Sequence, residues 1–425
     1  MVRSLGLAAA IVVAFLNGAA LSEGAVACEA PEFAFRGELR GLLPGPYGPA
    51  TTAGTSWRVS LVADIDGDGL ADLVRLDESG ILFSRNEGRG SFAAPLLVGP
   101  PADSLAIGDF DGDGHADLVF TRDESVRLFV GDGTGAFRDA GRFCFWGAGA
   151  FDHVVAGDFD GDGRLDVAWI WHVSPGNTGR LVVAFGDGRG AFPRVTKWEP
   201  PEPPEGQYGF PLDRVFEVHA FDFDGDGRTD LVAGSWVGTL TSSTRVLVAH
   251  GDGSFELGPG LGGGFYSASV VVPVELNGDG VMDLVSLESF KIYSWTVYPF
   301  IRLPAGGWTE PSLATCSHAE YATLAFGDLT GDGKADLAYV SGGTVNIDRE
   351  TASGRFERLV SFPTSTSRRD VVIFDVDGDG KQDLVLGPTK TEPAQWWAAC
   401  PPSKTRQPVA PGPVLHPARR TRTTP

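Results

Sequence analysis

Methionine is nearly absent from this chain, with two in 425 residues, and cysteine is sparse at four. A core without pliable methionine fillers is built from shaped, stiff side chains. Cations are also scarce: 34 Lys and Arg stand against 55 Asp and Glu, a net charge of -21. A surface that acidic repels a phosphate backbone, which excludes nucleic acid as a partner. Beyond the N-terminus there is no apolar run long enough for a membrane helix. Catalytic signatures are missing as well. The seven histidines, at 115, 153, 172, 219, 250, 318 and 416, fall in no zincin or Cys-His pattern, and there is no Gly-x-Ser-x-Gly elbow. No catalytic residue is assigned.

What is present in excess is glycine, 58 residues, beside 42% hydrophobic residues. Many tight turns between apolar segments suit an all-β chain. Length alone suggests two or three domains, but a repeat architecture overrides that expectation.

One pattern recurs seven times. The first copy carries Asp64, Asp66, Asp68, Leu70 and Asp72 at alternate places, and the second Asp109, Asp111, Asp113, His115 and Asp117. The third has Asp158, Asp160, Asp162, Arg164 and Asp166; the fourth has Asp222, Asp224, Asp226, Arg228 and Asp230. The fifth is altered to Glu275, Asn277, Asp279, Val281 and Asp283. The sixth has Asp328, Thr330, Asp332, Lys334 and Asp336, and the seventh Asp375, Asp377, Asp379, Lys381 and Asp383. Calcium takes six to eight hard oxygen ligands in flexible geometry. A tight loop can turn alternate residues inward, so positions one, three, five and nine are read as carboxylate donors and position seven as a backbone-carbonyl donor. Glycine at position six permits the turn. Copies five and six each lack one carboxylate, and weaker sites are expected there. Seven bound ions would bring the net charge to about -7.

Strands flank each copy. Val59–Ala63 precedes the first and Leu73-Val74 follows it; Val371–Phe374 and Leu384–Leu386 frame the last. The acidic loop is therefore expected to be the turn of a hairpin. A third strand, a Gly-rich turn and a fourth strand entered at Phe follow, as in Val126–Val130 leading through Gly131–Gly135 to Phe137. Four strands repeated every 45–64 residues describe propeller blades. The expected fold is an all-β, seven-bladed propeller over 28–400, closed by an N-terminal strand, Phe33–Leu39, that completes the last blade.

Residues 1–27 read as a signal peptide, with Arg3, an apolar stretch from Leu5 to Leu16 and small residues before Cys28. The mature chain is expected to be secreted and monomeric. Ala25-Val26-Ala27-Cys28 leaves a second reading open, a lipid anchor through Cys28. In the competing one Cys28 and Cys400 meet beside the closing strand and form a disulfide. Residues 401–425 read as a disordered, Pro-rich basic tail.

The Asp loops and their strand context resemble the FG-GAP/VCBS repeat family, which includes the integrin α-subunit propeller and propeller lectins. Glu275, Asn277 and Thr330 are the departures. The resemblance implies a seven-bladed propeller with calcium in the loop joining strands one and two. It also implies a binding role, toward carbohydrate or an extracellular protein, with a sugar-active enzyme as a further alternative. In this strand order the acidic loops lie on one rim. Irregular insertions fall on the other: Trp169 and Trp171 beside His172, Pro200 to Pro211 with Tyr208, and Trp236. His172, Tyr208 and Trp236 are the candidate ligand contacts there.

Overall fold

The computed structural model describes residues 33–38, 59–76, 79–145, 149–173, 178–201, 212, 215–237, 241–262, 267–274, 276–279, 282–290, 294–303, 315–317, 324–352, 355–364, 371–387 and 395–399. They form seven four-stranded antiparallel sheets. Blade one is Val59–Ala63, Asp72–Leu76, Ile81–Ser84 and Leu96–Gly99; blade two is Ser104–Gly108, Asp117–Arg122, Ser125–Gly131 and Phe137–Phe145. Blade three is Gly149–Gly157, Asp166–Val173, Thr178–Phe185 and Arg194–Trp198; blade four is Val215–Phe221, Asp230–Val237, Thr241–Ala249 and Phe255–Gly262. Blade five is Ser267–Val274, Asp283–Phe290, Ser294–Phe300 and Thr315–Ser317; blade six is Leu324–Gly327, Asp336–Ser341, Thr344–Ala352 and Arg355–Pro363. In blade seven, Val371–Phe374, Asp383–Leu386 and Gln395–Ala399 are joined by Phe33–Glu38 as the fourth strand.

That last sheet draws on both ends of the chain, with Phe33 paired to Ala399 and Glu38 to Gln395. The expectations for 1–27, Cys28, Tyr208, Glu275, Val281, Cys400 and 401–425 lie outside those residues. Cys144 and Cys316 belong to the fourth strands of blades two and five.

The second strands read as unbroken apolar runs because both of their faces are covered. Successive side chains point to opposite faces of a sheet. In blade two, Leu118 and Phe120 pack against Val74, Ile81 and Phe83 of blade one. Val119 between them packs with Phe151, Val167 and Trp169 of blade three. Blade three repeats the division: Ala168 and Ile170 meet Leu231 and Ala233 of blade four. Val232 continues to Leu284 of blade five. Ala338 and Ile347 of blade six meet Val371 and Ile373 of blade seven. Val372, Phe374 and Trp396 of blade seven meet Leu73 and Phe92 of blade one. No helix among the described residues is long and apolar enough to cross a membrane.

The division also decides two aromatic residues. Trp169 is fully buried and Trp171 nearly so, Trp169 tilted against Phe151 at a centroid distance of 6.0 Å. These tryptophans are core, and the half-buried His172 follows them on the same strand.

Candidate metal centre

Each acidic loop joins the first and second strands of its blade, and the same hydrogen bonds shape most copies. In loop one the carboxylate of Asp64, position one, spans the turn: Oδ1 accepts the N–H of Gly67 at 2.8 Å and Oδ2 that of Gly69 at 3.0 Å. Both glycines lie in the left-handed region, at φ 73° and 86°, where a side chain would be strained. Asp109, Asp158, Asp222, Asp328 and Asp375 hold their loops in the same way.

Position nine is a buried staple. Asp72 Oδ2 accepts the N–H of Ile65, position two, at 3.0 Å, and its Oδ1 accepts the N–H of Asn86, just past the third strand, at 2.6 Å. Asp117, Asp166, Asp230, Asp283 and Asp336 repeat both bonds, receiving the second from Gly131, Gly186, Ala249, Arg302 and Glu350. Asp383 receives the first from Val376. One carboxylate thus ties the acidic loop to the far end of the third strand or just beyond it. The sequence reading missed position two, although a marker was available. It is apolar in every copy, as Ile65, Phe110, Phe159, Phe223, Leu276, Leu329 and Val376, and each of these side chains is buried.

Positions one, three and nine converge. In loops one to four and seven, an oxygen from each of the three carboxylates lies within 4.8 Å of the other two: Asp64, Asp66 and Asp72; Asp109, Asp111 and Asp117; Asp158, Asp160 and Asp166; Asp222, Asp224 and Asp230; Asp375, Asp377 and Asp383. The position-five carboxylates stand outside these clusters. Asp68, Asp113, Asp162, Asp226, Asp332 and Asp379 each accept the N–H of their own position-seven residue. Asp162 and Asp226 are also paired with Arg164 and Arg228. Lys334 turns from its loop to Glu350, at 2.8 Å.

Burial, and then neighbouring carboxylates, make these sites costly for negative charge. Burial raises Asp72 and Asp230 to about 6, Asp166 and Asp336 to about 7 and Asp383 to about 8. Asp66 and Asp111 are raised by burial and by the adjacent Asp68 and Asp113. A divalent cation relieves this repulsion. Two oxygens also lack a partner: Asp160 Oδ1 and Thr330 Oγ1 are buried without a hydrogen bond, both at position three. Three convergent carboxylates with unpartnered oxygen at the same place fit a hard cation. In loop six the Thr330 hydroxyl keeps an oxygen at the site while losing the charge.

The direction of these shifts sets a pH response. A carboxyl whose folded pKa exceeds its unfolded value gives stability that is full below the unfolded value and lost as pH rises through the folded one. Metal-free protein is therefore expected to melt lower at pH 8 than at pH 5, the loss falling between about pH 4 and 8. Bound cation favours the ionised form and flattens the trend. Melting curves of metal-free protein at the two pH values check this, and a higher melting point at pH 8 contradicts it.

Of the three candidate ligand contacts on the opposite rim, His172 is half-buried on the second strand of blade three. Trp236 lies on the second strand of blade four, its backbone paired with Ser242. On the acidic rim, a cleft of 470 Å³ opens between loops two and three, lined by Asp109, Arg164, Asp187 and Arg189 among others.

A closed set of seven four-stranded blades, each with an acidic loop between its first two strands, defines a repeat propeller. The chain belongs to the FG-GAP-like repeat family, which matches residues 64–120, 109–169, 222–286 and 306–386, more than half its length. Among solved structures it is similar to an Agrocybe aegerita lectin that recognises non-reducing terminal N-acetylglucosamine. That likeness has 17% identity and a TM-score of 0.51, over 75% of this chain and 88% of the lectin. It is also similar to BBS1N, solved in complex with ARL6DN, with 10% identity and a TM-score of 0.53 over 86% of this chain and 98% of that one. At these identities the likeness is one of fold. No curated protein matches the chain.

Proposed function

We propose that this protein is an exported binding module whose acidic loops hold calcium and whose opposite rim recognises carbohydrate. The calcium part rests on the five three-carboxylate clusters and on the unpartnered oxygens at position three of loops three and six. Positions one, three and nine would hold the ion, with the oxygens of position five and of the position-seven backbone available to complete its shell. The ion would neutralise the like charges and tie the loop to the second strand through position nine. Loops five and six, with Asn277 and Thr330 at position three, would bind more weakly. The loops would then be scaffold, and Cys28 and Cys400 would lock the seam at which Phe33 pairs with Ala399.

The carbohydrate part is supported by the shared fold of the Agrocybe aegerita lectin. The rim opposite the loops, where the sequence places His172, Tyr208 and Trp236, would offer aromatic faces of the kind that sugars stack on. A glycan array run with calcium and with chelator tests it. The expected result is a sugar signal that depends on calcium; no tight glycan in either condition would overturn it. The second reading, adhesion to a protein, is favoured by the BBS1N propeller, which was solved with a protein partner. Capture of an extracellular protein with an empty glycan array would favour that reading.

A further inference from the structure

In loop three a guanidinium engages the position-three carboxylate at hydrogen-bond distance. Arg194 opens the fourth strand of blade three, and its Nη2 lies 2.5 Å from Oδ2 of Asp160, position three of the same blade's loop. The guanidinium is held from two further directions. Its Nη1 donates to the backbone carbonyl of Asp252 in blade four at 3.2 Å, and its Cζ lies 3.3 Å from the ring centroid of Phe185. Asp160 is thereby divided. Oδ2 is engaged by the arginine, while Oδ1 is buried without a partner; the residue belongs to the loop's cluster with Asp158 and Asp166. In loop one the nearest equivalent is looser, Arg85 standing 3.9 Å from Asp66. Among the described residues, Asp111 of loop two has no such ion pair.

We propose that Arg194 sets the calcium affinity of loop three, holding it below that of loop two; this rests on the calcium reading above. A calcium ion brought to Asp158, Asp160 and Asp166 meets a fixed positive charge one carboxylate away. Unit charges a few ångströms apart interact appreciably even when water screens them. The divalent ion must also share Asp160 with a group that is stacked on Phe185 and anchored to the next blade, and so cannot simply swing away. Together these weaken calcium at loop three by about tenfold relative to the same loop without the guanidinium. The rim would then fill in order, loop two before loop three, although the two loops carry the same four aspartates.

Hydrogen–deuterium exchange followed by mass spectrometry, across a calcium titration of the full chain, reads the loops separately. Peptides covering 109–117 and 158–166 report loops two and three. In the wild type, protection of loop three is expected at about tenfold higher calcium than that of loop two. Arg194→Gln should move the loop three midpoint about tenfold lower and leave loop two in place. Arg194→Lys keeps the charge and should leave loop three near its wild-type midpoint. The proposal is overturned if wild-type loop three fills at or before loop two. It is equally overturned if Arg194→Gln leaves the midpoint unmoved or raises it, the result expected if the arginine pre-positions Asp160 for the ion. If no loop gains protection with calcium, the calcium reading itself fails, and that outcome is visible in loop two independently of Arg194.

Discussion

Removal of calcium is expected to lower the melting temperature by about 15–20 °C. A ligand that binds only the folded state stabilises it by about 2.7 kcal/mol per site at a hundredfold excess over its dissociation constant. Five loops carry the complete three-carboxylate cluster, so together they contribute about 13 kcal/mol at that saturation. Unfolding entropy of about 2.1 cal/mol/K per residue turns this, for a ring of this size, into a shift of that order. The sites are spread around the ring, in blades one to four and seven, so the loss falls on most seams at once. Calorimetry with 1–2 mM calcium and after removal of metal gives the comparison. A shift of less than about 3 °C would mean that the loops hold little or no ion under those conditions.

Asp117→Ala is expected to destabilise the metal-free protein by about 2–4 kcal/mol, whereas Asp111→Ala in the same loop changes it by less than about 0.5 kcal/mol. The contrast follows from what each carboxylate does without an ion. Asp117 is fully buried and accepts the N–H groups of Phe110 and Gly131, both at 2.8 Å. Alanine leaves two buried donors unpaired, each at a cost of about 1–3 kcal/mol, offset in part by the burial of one fewer carboxylate. Asp111 is half-buried and accepts one long bond, from Asp113 at 3.3 Å. With calcium present each variant forfeits a further loss of about 2–3 kcal/mol of linkage, roughly the same for both because each removes a ligand from one site, so the gap between them persists. Chemical denaturation of the two variants, with and without metal, separates the staple from the ligand. Equal destabilisation of the metal-free forms would contradict the division of roles.

The repeat made the fold legible. A nine-residue loop written seven times between apolar runs, followed in three copies by a Gly-Asp-Gly turn, leaves few arrangements other than blades. The strand from Phe33 to Glu38 was readable as the missing strand of the last blade because its Phe-led character matches the strand it replaces. The parts that escaped sequence reading depend on partners that spacing does not mark. Asp72 reads as a loop-closing ligand, but nothing in its spacing says that Ile65 and Asn86 donate to it. The position-five aspartates alternate in step with the other acids, yet a nearby backbone N–H, two residues on, takes one oxygen of each. Trp169 and Trp171 break the regularity of the repeat and so suggest a surface. Burial on both faces of a blade's second strand makes them core instead. Arg194 lies 34 residues from Asp160 in sequence, and nothing in that spacing marks the pairing.

The central claim is that these loops are metal sites rather than acidic turns. Elemental analysis of the purified chain, dialysed against about 1 mM calcium and counted in excess over the dialysate, tests it most directly. The account predicts calcium in several-fold molar excess over protein, approaching one ion for each of the five complete clusters. It also predicts a drop to none after chelation. A chain that retains no calcium, while its blades stay folded by circular dichroism, would contradict it.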